Sequence, residues 1–377
     1  MEVTVSREGL FDCLSTIMNV VPQRSVKPLL TNVFLETKDE KLTIFGTDFE
    51  VTLEGAIEPI EIANPGALGV NGKKFYDLLR ELTGTGINLK QEGQRLVMRQ
   101  TDNKGRFVFP IITGEEFPSL PKIDSVRATV RARADVMLKM LSHTSYATSP
   151  DISMISFTGI LWQIKPEEYR MVATDGHRLA LFCDRTAPKS DLELDLLISK
   201  RSMENLARVF VKSKDEEFSA IIGDTRVSFT IGNYSFTTNL IGERFPNYEQ
   251  VLPRDNDKIL ELQRDDLVNA LRRVAIFSSP LTHMVRFSME KDSLKLSAVD
   301  PETGGEAEEI IQANYEGEPM DIGFSANDII DILRHIETER VKITFRSPLS
   351  AAMIYPARTS ENEEYLAVLM PLRLPEE

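Results

Sequence analysis

The chain is poor in the residues that build disulfides and metal centres, with 2 cysteines and 4 histidines among 377 residues. Cys13 and Cys183 lie far apart in apolar surroundings, which predicts two buried free thiols. The histidines, which are not spaced like a set of metal ligands, are His143, His177, His283 and His335. Redox chemistry, a metal centre and a cofactor are therefore not expected.

Long apolar runs and nucleotide-binding glycine motifs are also missing. The longest apolar pieces, such as 107–112 and 366–370, fall far short of the roughly 20 residues that cross a bilayer. The opening MEVTVSREGL has neither the basic nor the apolar region of an export signal. No Gly-x-x-x-x-Gly-Lys-Ser/Thr or Gly-x-Gly-x-x-Gly sequence occurs. We therefore expect a cytoplasmic protein that does not associate with membranes.

What the chain does contain is a repeat of about 125 residues. Alternating apolar strands end in a small or β-branched residue followed by aspartate at Asp48, Asp175 and Asp300, which are 127 and 125 positions apart. A Phe-Pro sequence with a later Leu-Pro recurs at 115–121 and 243–253, and a charged linker follows each. We predict three domains, 1–124, 125–253 and 254–377.

Each repeat contains two amphipathic helical patterns. They begin near Ser6, Asn71, Arg131, Ser199, Leu262 and Ser325. Between them lie period-2 segments split by turn residues at 38–40, 92–93 and 232–233, a pattern typical of antiparallel strands. The sequence therefore predicts an α+β fold: three tandem copies of a domain that has two helices and antiparallel sheets.

The net charge of −14 would ordinarily argue against a nucleic-acid ligand. The charge is uneven, however, because the six helical windows together carry +7 and the rest of the chain −21. Lysine and arginine are good helix formers, but glutamate is equally good and is scarce in these windows. This distribution favours helices that face a polyanion.

The sequence TDGHR at 174–178 has the composition of a small active site. A His–Asp pair needs a nucleophile or a metal partner, and the aspartate recurs in repeats that lack the histidine. We therefore expect Asp48, Asp175 and Asp300 to accept backbone N–H bonds in strand-end turns. A metal-dependent hydrolase that uses Asp175 and His177 is the alternative, and it predicts loss of activity in His177→Ala.

The threefold repeat, VATDGHRLA at 172–180, FPNYEQVLP at 245–253 and VLMPLRL at 368–374 together resemble the bacterial DNA polymerase III beta subunit family, the sliding clamps. The resemblance covers the whole chain and implies a head-to-tail homodimer that closes into a ring lined by helices. Twelve helices of about 10 Å diameter would leave an opening of roughly 28 Å, which admits duplex DNA. The implied function is a non-enzymatic processivity factor whose partners are double-stranded DNA, the replicative polymerase, the clamp loader and other replication and repair proteins.

The resemblance also implies a hydrophobic cleft in which partners dock short linear motifs. Methionine and leucine supply adaptable apolar contacts, and Arg178 and Arg373 can bond a partner's carbonyl or carboxylate groups. The matching residues are Phe157, Thr174, Gly176, His177, Arg178, Leu179, Pro246, Val251, Ala351, Val368, Leu369, Met370, Pro371, Leu372, Arg373 and Leu374. The alternative for residues 368–374 is a last strand packed into its own domain; alternate side chains of a strand allow both roles.

Two further surfaces follow from the resemblance. The ring interface would join Lys74, Phe107 and Phe109 of one subunit to Ile276, Phe277, Glu302, Glu306 and Glu308 of the other. The alternative for the two phenylalanines near residue 108 is an ordinary core position. The candidates for facing DNA are Arg24, Lys73, Arg80, Arg131, Arg133, Lys139, Lys200, Arg201, Arg208, Lys212, Arg264, Arg272 and Arg273.

The chain departs from the family pattern near the cleft. Gln250 occupies a position that is often basic, and Pro375, Glu376 and Glu377 extend the chain past the last motif, where acidic residues can alter partner preference. The loop 149–156 lacks aromatic and basic residues, so no DNA contact is expected from it. A peptide-binding scaffold without a DNA role needs only the cleft, and this alternative predicts a monomer.

Overall fold

The structure is a computed structural model that describes residues 1–102, 105–113, 120–123, 125–186 and 191–375. Most of the predicted domain-end segment at 115–121, the boundary residue Asp124 and the tail residues Glu376 and Glu377 lie outside this part of the chain. The chain divides into two compact units, Met1–Leu138 with Arg201–Leu240, and Lys139–Lys200 with Ile241–Glu377. The middle repeat therefore contributes residues to both units.

Six α-helices occur in the described residues, two in each repeat as predicted. They are α1 (Arg7–Ile17), α2 (Gly72–Glu81), α3 (Ala134–Thr144), α4 (Lys200–Phe210), α5 (Arg264–Val274) and α6 (Ala326–Arg334). Each helix directly follows a strand, and Ser6, Asn71 and Ser325 cap their helices by accepting a backbone N–H bond from three residues ahead. The apolar residues of each pattern form the buried face of the helix.

Strands make up most of the remaining described chain. The first repeat contains β1 (Glu2–Ser6), β2 (Asn32–Lys38), β3 (Lys41–Thr47), β4 (Val51–Ile57), β5 (Glu61–Asn64), β6 (Ala67–Asn71), β7 (Gly86–Glu92), β8 (Arg95–Gln100) and β9 (Arg106–Ile112). The second contains β10 (Ala128–Arg133), β11 (Gly159–Ile164), β12 (Tyr169–Thr174), β13 (Arg178–Asp184), β14 (Leu194–Ser199), β15 (Glu217–Ile222), β16 (Arg226–Ile231) and β17 (Tyr234–Asn239). The third contains β18 (Lys258–Gln263), β19 (Met284–Glu290), β20 (Ser293–Val299), β21 (Glu306–Gln312), β22 (Asn314–Glu316), β23 (Met320–Ser325), β24 (Arg340–Phe345), β25 (Ala352–Pro356) and β26 (Glu363–Leu369).

The strands form antiparallel sheets that run from one repeat into the next. The first unit has a 13-stranded sheet of order β10-β15-β16-β17-β4-β3-β2-β6-β9-β8-β7-β1-β5, in which the pairing of β17 with β4 joins two repeats. The second unit has a nine-stranded sheet, β14-β11-β12-β13-β26-β25-β24-β18-β22, and a four-stranded sheet, β21-β20-β19-β23. The predicted α+β class with antiparallel sheets is confirmed.

The hairpin predictions are confirmed as well. The turns between β2 and β3, β7 and β8, and β16 and β17 contain residues of left-handed φ, namely Asp39, Glu40, Gly93 and Gly232. A left-handed φ matches the twist of two-residue hairpins, which is why these residue types mark the turns.

Both cysteines are buried free thiols, as predicted. Burial raises the pKa of Cys13 and that of Cys183 to about 12, so neither sulfur is a reactive thiolate near neutral pH. None of the helices in the described ranges is long and apolar enough to span a bilayer.

Candidate functional site

The segment at 174–178 forms a tight turn between β12 and β13. Thr174 Oγ1 donates to the carbonyl oxygen of Arg178 at 2.7 Å, and Asp175 Oδ1 accepts the N–H bonds of His177 and Arg178, both at 2.9 Å. Gly176 has a φ of +90°, which suits a residue without a Cβ. Because both oxygens of Asp175 are engaged within the turn, Asp175 is not placed to orient His177 as a general base.

The same use of aspartate recurs in the other repeats. Asp48 Oδ1 accepts the N–H bonds of Glu50 and Val51 at 3.0 and 2.8 Å. Asp300 accepts the N–H bond of Glu302 at 2.9 Å and the hydroxyl of Thr303 at 2.7 Å. The predicted structural role of the repeated aspartate is therefore confirmed.

Beside the turn, β13 and β26 present an apolar face. Leu179 pairs with Val368, and Val368 pairs with Met353 of β25, so the three side chains share one face of the sheet. They belong to a hydrophobic cluster formed by Leu161, Val172, Leu179, Leu181, Cys183, Leu197, Tyr248, Leu366 and Val368, against which Ile241, Phe245, Leu252, Ala351, Met353 and Tyr355 pack. We call this set the groove cluster.

The family resemblance identifies Leu179, Ala351 and Val368 as cleft residues. It misses most of the other members of the groove cluster. Met353 could have been found from the period-2 alternation of β25, since it faces the same way as its partner Val368. Phe245 and Tyr248 lie in the FPNYEQVLP segment, but only the folded chain shows that Tyr248 reaches Gln163 of β11, to which its hydroxyl donates at 2.7 Å.

Two exposed apolar residues lie close in sequence to the groove cluster: Val251 precedes Leu252, and Met370 follows Val368 by two positions. We call Val251 and Met370 the rim. Val251 is 58% exposed and Met370 is 50% exposed. The Met370 N–H donates to the carbonyl oxygen of His177 at 2.9 Å, so the C-terminal segment lies beside the turn. Phe157 is also near, with Cε2 3.7 Å from the point where a Cβ on Gly176 would stand. Of the other predicted cleft residues, Thr174 is buried, Pro371 is half-buried, and Pro246 and Arg373 are exposed; Gln250, the departure from the family pattern, is exposed as well.

The structure corrects the cleft assignment of Leu369. Leu369 pairs with Arg178 and Ala352, so its side chain lies on the face opposite Val368 and is buried. Leu372 bridges to Gly323 of β23 through an N–H···O bond of 2.8 Å, and Leu374 packs against the same glycine. Successive strand residues face opposite ways, so Val368 and Leu369 cannot both face the groove. Leu372 and Leu374 are half-buried, and their place in the cleft stays a prediction.

The Arg178 guanidinium is paired within the chain, which corrects the expectation that it bonds a partner's carbonyl or carboxylate groups. Its side chain is 14% exposed and forms ion pairs with Asp175 at 3.0 Å, Asp328 at 3.1 Å and Asp331 at 3.3 Å. Burial alone would lower the pKa of the guanidinium, but Asp328 and Asp175 raise it above its ordinary value. Arg178 therefore ties the turn to α6.

We expect Arg178→Met to lower the free energy of unfolding by about 2 kcal/mol, because it leaves Asp175, Asp328 and Asp331 without their shared cation in a partly buried site. Urea denaturation measures the change. The matched control is Arg334→Met, which also removes a cation from Asp331 but at an exposed position, where about 0.5 kcal/mol or less is expected. Equal losses in the two variants would contradict the internal role of Arg178.

Arg178 contacts a cluster of tyrosine and histidine rings through Tyr146. The Arg178 guanidinium is 5.5 Å from the ring centroid of Tyr146, which stacks on His335 at 4.5 Å. The Tyr146 hydroxyl is 2.9 Å from that of Tyr365, and His143 is 6.3 Å from His335. The fold thus brings together two histidines that are distant in sequence. The described residues contain no group of three or more His, Cys, Asp or Glu side chains that could hold a metal.

We expect this cluster to make stability depend on pH. Burial, and then the neighbouring His143, lower the pKa of His335 to about 4, whereas an unfolded histidine titrates near 6.5. Between these values the unfolded chain binds the proton first, so the free energy of unfolding falls as the pH drops from about 6.5 to about 4, by roughly 1–2 kcal/mol for this partly exposed ring. Asp331, Arg334 and Arg178 also face the ring.

The measurement is urea denaturation at several pH values in this window, with His335→Phe as the comparison. Phenylalanine keeps a ring to stack on Tyr146 but does not titrate, so the pH slope should be shallower. Identical slopes in parent and variant would show that His335 does not contribute.

Helix α4 carries the clearest basic surface. Arg201 and Arg208 are exposed on the helix face opposite Met203, Leu206 and Phe210, which are buried. Lys212 follows the helix and donates to Thr16 Oγ1 at 2.7 Å. The exposed side of α4 holds these two arginines and Glu204, so it carries a net positive charge, although Arg201 also pairs with Asp48 at 2.7 Å.

The remaining DNA candidates differ in their availability. Arg24 is exposed in the loop after α1, and Lys73 and Arg80 are exposed on α2 beside Asp77 and Glu81. Arg272 and Arg273 are exposed on α5, where Arg273 is paired with Glu309. Lys200 is half-buried, Lys139 is half-buried and paired with Glu363, and Arg264 is bonded to the carbonyl oxygen of Ile336. Arg131 and Arg133 belong to β10, because α3 begins only at Ala134, which corrects their assignment to a helix.

Two strands expose backbone edges near the predicted ring-interface residues. β9 pairs with β8 over Arg106–Pro110, but among the described residues its other side pairs with β6 only at Ile111 and Ile112. β21 is the outermost strand of the four-stranded sheet. Both edges can therefore accept another strand.

Side chains at these edges are apolar and charged. Ile276 is 76% exposed, and Phe277 packs over Gly305 beside the start of β21. Lys74, Glu302, Glu306 and Glu308 are exposed. Phe107 is half-buried, whereas Phe109 is buried against Phe75 with ring centroids 5.7 Å apart, so Phe109 is a core residue and its interface assignment is corrected. Val108, which sequence comparison missed, is exposed on β9.

Comparison with known proteins agrees with this architecture. Family models of the DNA polymerase III beta subunit match residues 1–121 (N-terminal domain), 132–247 (central domain) and 249–373 (C-terminal domain). The beta sliding clamps of Pseudomonas aeruginosa and of Escherichia coli K12 are each 31% identical to this chain, over 99% of this chain and 100% of theirs.

Solved structures give the same result. The crystal structure of the Pseudomonas aeruginosa DNA polymerase III subunit beta aligns with a TM-score of 0.94 at 30% identity, covering 99% of this chain and 100% of that one. A sliding clamp from the same organism bound to griselimycin aligns with a TM-score of 0.93 at 30% identity and the same coverage. With three family domains in order and full-length relatives, the chain belongs to the DNA polymerase III beta subunit family and is a DNA sliding clamp in fold and function.

Proposed function

We propose that two copies of the chain close head to tail into a ring around duplex DNA, and that the ring tethers the replicative polymerase without catalysing a reaction itself. The three domains would be 1–124, 125–253 and 254–377, close to the ranges of the matching family models. The ring would act in the cytoplasm, where the clamp loader and other replication and repair proteins would share it.

The observation that carries this proposal is the complementarity of the two open edges. β9 and β21 are each seven residues long and can pair with each other across two copies. Exposed Val108, Ile276 and Phe277 would bury apolar area, while Lys74 and the glutamates of β21 have opposite charges. Such a contact closes after two subunits and leaves neither edge exposed.

The helices would hold DNA by loose electrostatics. The exposed cations of α2, α4 and α5 suit a phosphate backbone, and Arg201, Arg208 and Lys212 form the strongest group. A ring is retained by topology, so it needs few tight phosphate contacts, and tight contacts would impede sliding.

The groove cluster and its rim would capture partner peptides. Met370 offers adaptable apolar contacts next to the Gly176–His177 turn, where the backbone is accessible because Gly176 lacks a side chain. Val251, whose N–H donates to the carbonyl oxygen of Tyr248 in the groove cluster, adds a second exposed apolar side chain. Arg373 is exposed and can bond a partner's carboxylate, whereas Arg178 would act only by positioning the turn.

The test is retention on a nicked circular plasmid after loading by the cognate clamp loader and ATP. A ring should survive a high-salt wash on the circle and slide off once a restriction enzyme linearises the plasmid. Protein that washes off the circle, or that stays on linear DNA with free ends, would contradict encirclement. A monomer that still binds partner peptides would favour a scaffold without a DNA role.

A further inference from the structure

The turn at 47–51 is built like the turn at 174–178 but contains a phenylalanine in place of glycine. Thr47 Oγ1 donates to the carbonyl oxygen of Val51 at 2.9 Å, and the Phe49 N–H donates to Thr47 Oγ1 at 3.1 Å. The corresponding distances in the second repeat are 2.7 and 3.1 Å. Phe49 therefore occupies the position that Gly176 occupies there.

This position is unfavourable for a bulky residue. Phe49 has a φ of +74°, in the left-handed region where Cβ crowds the backbone, whereas Gly176 adopts +90° without that crowding. The turn holds Phe49 in place, because Asp48 Oδ1 accepts two backbone N–H bonds and Asn239 Nδ2 donates to the Phe49 carbonyl oxygen at 3.3 Å. A strained residue that local bonds hold in place is a candidate for a functional role.

The phenyl ring does not serve the hydrophobic core. It is 52% exposed, while the large aromatic residues of β2 and β3 nearby in the chain, Phe34 and Phe45, are fully buried. A side chain that is half exposed gains less from burial than Phe34 and Phe45 do, yet it occupies a strained φ. Its exposed surface is available to a ligand.

The ring lies among cations. Lys27 Nζ is 4.8 Å from the ring centroid, and Arg201 lies beside it through its ion pair with Asp48. The two acidic residues next to Phe49 already have partners. Asp48 accepts backbone N–H bonds of the turn and pairs with Arg201, and Glu50 accepts the hydroxyl of Ser202 at 3.2 Å. Lys27 is exposed, and so is Arg24, which lies three residues before it in the sequence.

We propose that Phe49 stacks on an unpaired base of single-stranded DNA, with Lys27 and Arg201 near the adjoining phosphates. An aromatic face beside cations is the combination that binds single strands without sequence preference, whereas a paired base keeps its faces inside the duplex stack. This inference rests on the proposed function, since a ring around duplex DNA would meet a single strand where the duplex ends. We name the site, Phe49 with Lys27 and Arg201, the stacking site.

Fluorescence of Phe49→Trp tests stacking directly. The native Trp162 is fully buried, so an indole at position 49 supplies the ligand-sensitive emission. We expect saturable quenching by a short oligothymidylate, with a duplex of equal length at least severalfold weaker. The matched control is Ile60→Trp, at a position 67% exposed and flanked by Glu58 and Glu61, where no saturable quenching is expected.

Affinity measurements separate stacking from mere apolarity. Phe49→Leu and Phe49→Gly should bind the fluorescently labelled oligothymidylate about tenfold more weakly than the parent, while Phe49→Tyr should bind within about twofold. Phe49→Gly should melt no lower than the parent because glycine suits this φ, so its weaker binding would not reflect unfolding.

The proposal is overturned if Phe49→Leu binds as tightly as the parent, if Ile60→Trp is quenched equally, or if only a partner peptide changes the emission of Phe49→Trp. Retention of the parent protein on the nicked circle is measured separately. If the parent protein is retained on the nicked circle but the stacking tests fail, only the stacking site is contradicted. If the parent protein washes off the circle, the proposed ring is contradicted.

Discussion

We expect the double variant Ile276→Asp/Phe277→Asp to run as a monomer and to be lost from nicked circular DNA. Ile276 is 76% exposed and Phe277 is partly exposed over Gly305, so in the proposed ring both become buried against the partner's β9. A charge placed there must be desolvated, and each ring contains the contact twice. If each residue contributes about 2 kcal/mol, the two residues in each of the two contacts weaken the dimer by about a millionfold.

Two measurements check this result: sedimentation or size-exclusion chromatography for the oligomeric state, and the circular-plasmid assay for retention. The control Ile60→Asp introduces one such charge at an apolar position of the first repeat that is 67% exposed, and it should remain dimeric and be retained. A double variant that stays dimeric and topologically bound would show that the ring closes elsewhere on the chain.

The second large effect concerns partner binding. Val251→Asp/Met370→Asp should lower affinity for the cognate replicative polymerase by about 100-fold, because both exposed rim side chains would exchange apolar contact for a carboxylate that must be desolvated. Neither residue belongs to the β9 or β21 edge, so dimerisation and retention on the circle should be unchanged.

Surface plasmon resonance with immobilised polymerase measures the Kd. Leu281→Asp is the matched control, since Leu281 is an exposed apolar residue of the same compact unit but not of the rim. Equal weakening by Leu281→Asp would point to a general charge effect. Unchanged affinity in the rim variant would place the docking surface outside the groove.

Patterns of a few neighbouring residues were sufficient to predict the helices, the hairpin turns and the role of the aspartates in the turns. All six helices begin within three residues of the predicted starts, since apolar spacing and capping residues act within a few positions of each other. The hairpins at Gly93 and Gly232 follow from residues that tolerate a left-handed φ. The repeated aspartate could be interpreted because its role recurs where no histidine accompanies it.

Predictions failed where a residue's role depends on a partner distant in sequence. Arg178 belongs to a motif that predicts a binding residue, yet two carboxylates of α6, those of Asp328 and Asp331, form ion pairs with it. Leu369 belongs to the same short motif as Val368 but faces the other way, because strand pairing decides the direction of each side chain. Phe109 resembles an edge residue until Phe75 is seen to cover it.

The sequence by itself determined the repeat, the six helices, the α+β class and the family, because periodicity and short motifs are local properties that survive without coordinates. Only the tertiary structure decided which side of each strand is buried and which charges are already paired. It also revealed that Phe49 shares the left-handed position of Gly176, since equivalent turns are recognised by their hydrogen bonds rather than by their letters. Surfaces are made by contacts between distant segments, and those contacts exist only once the chain has folded.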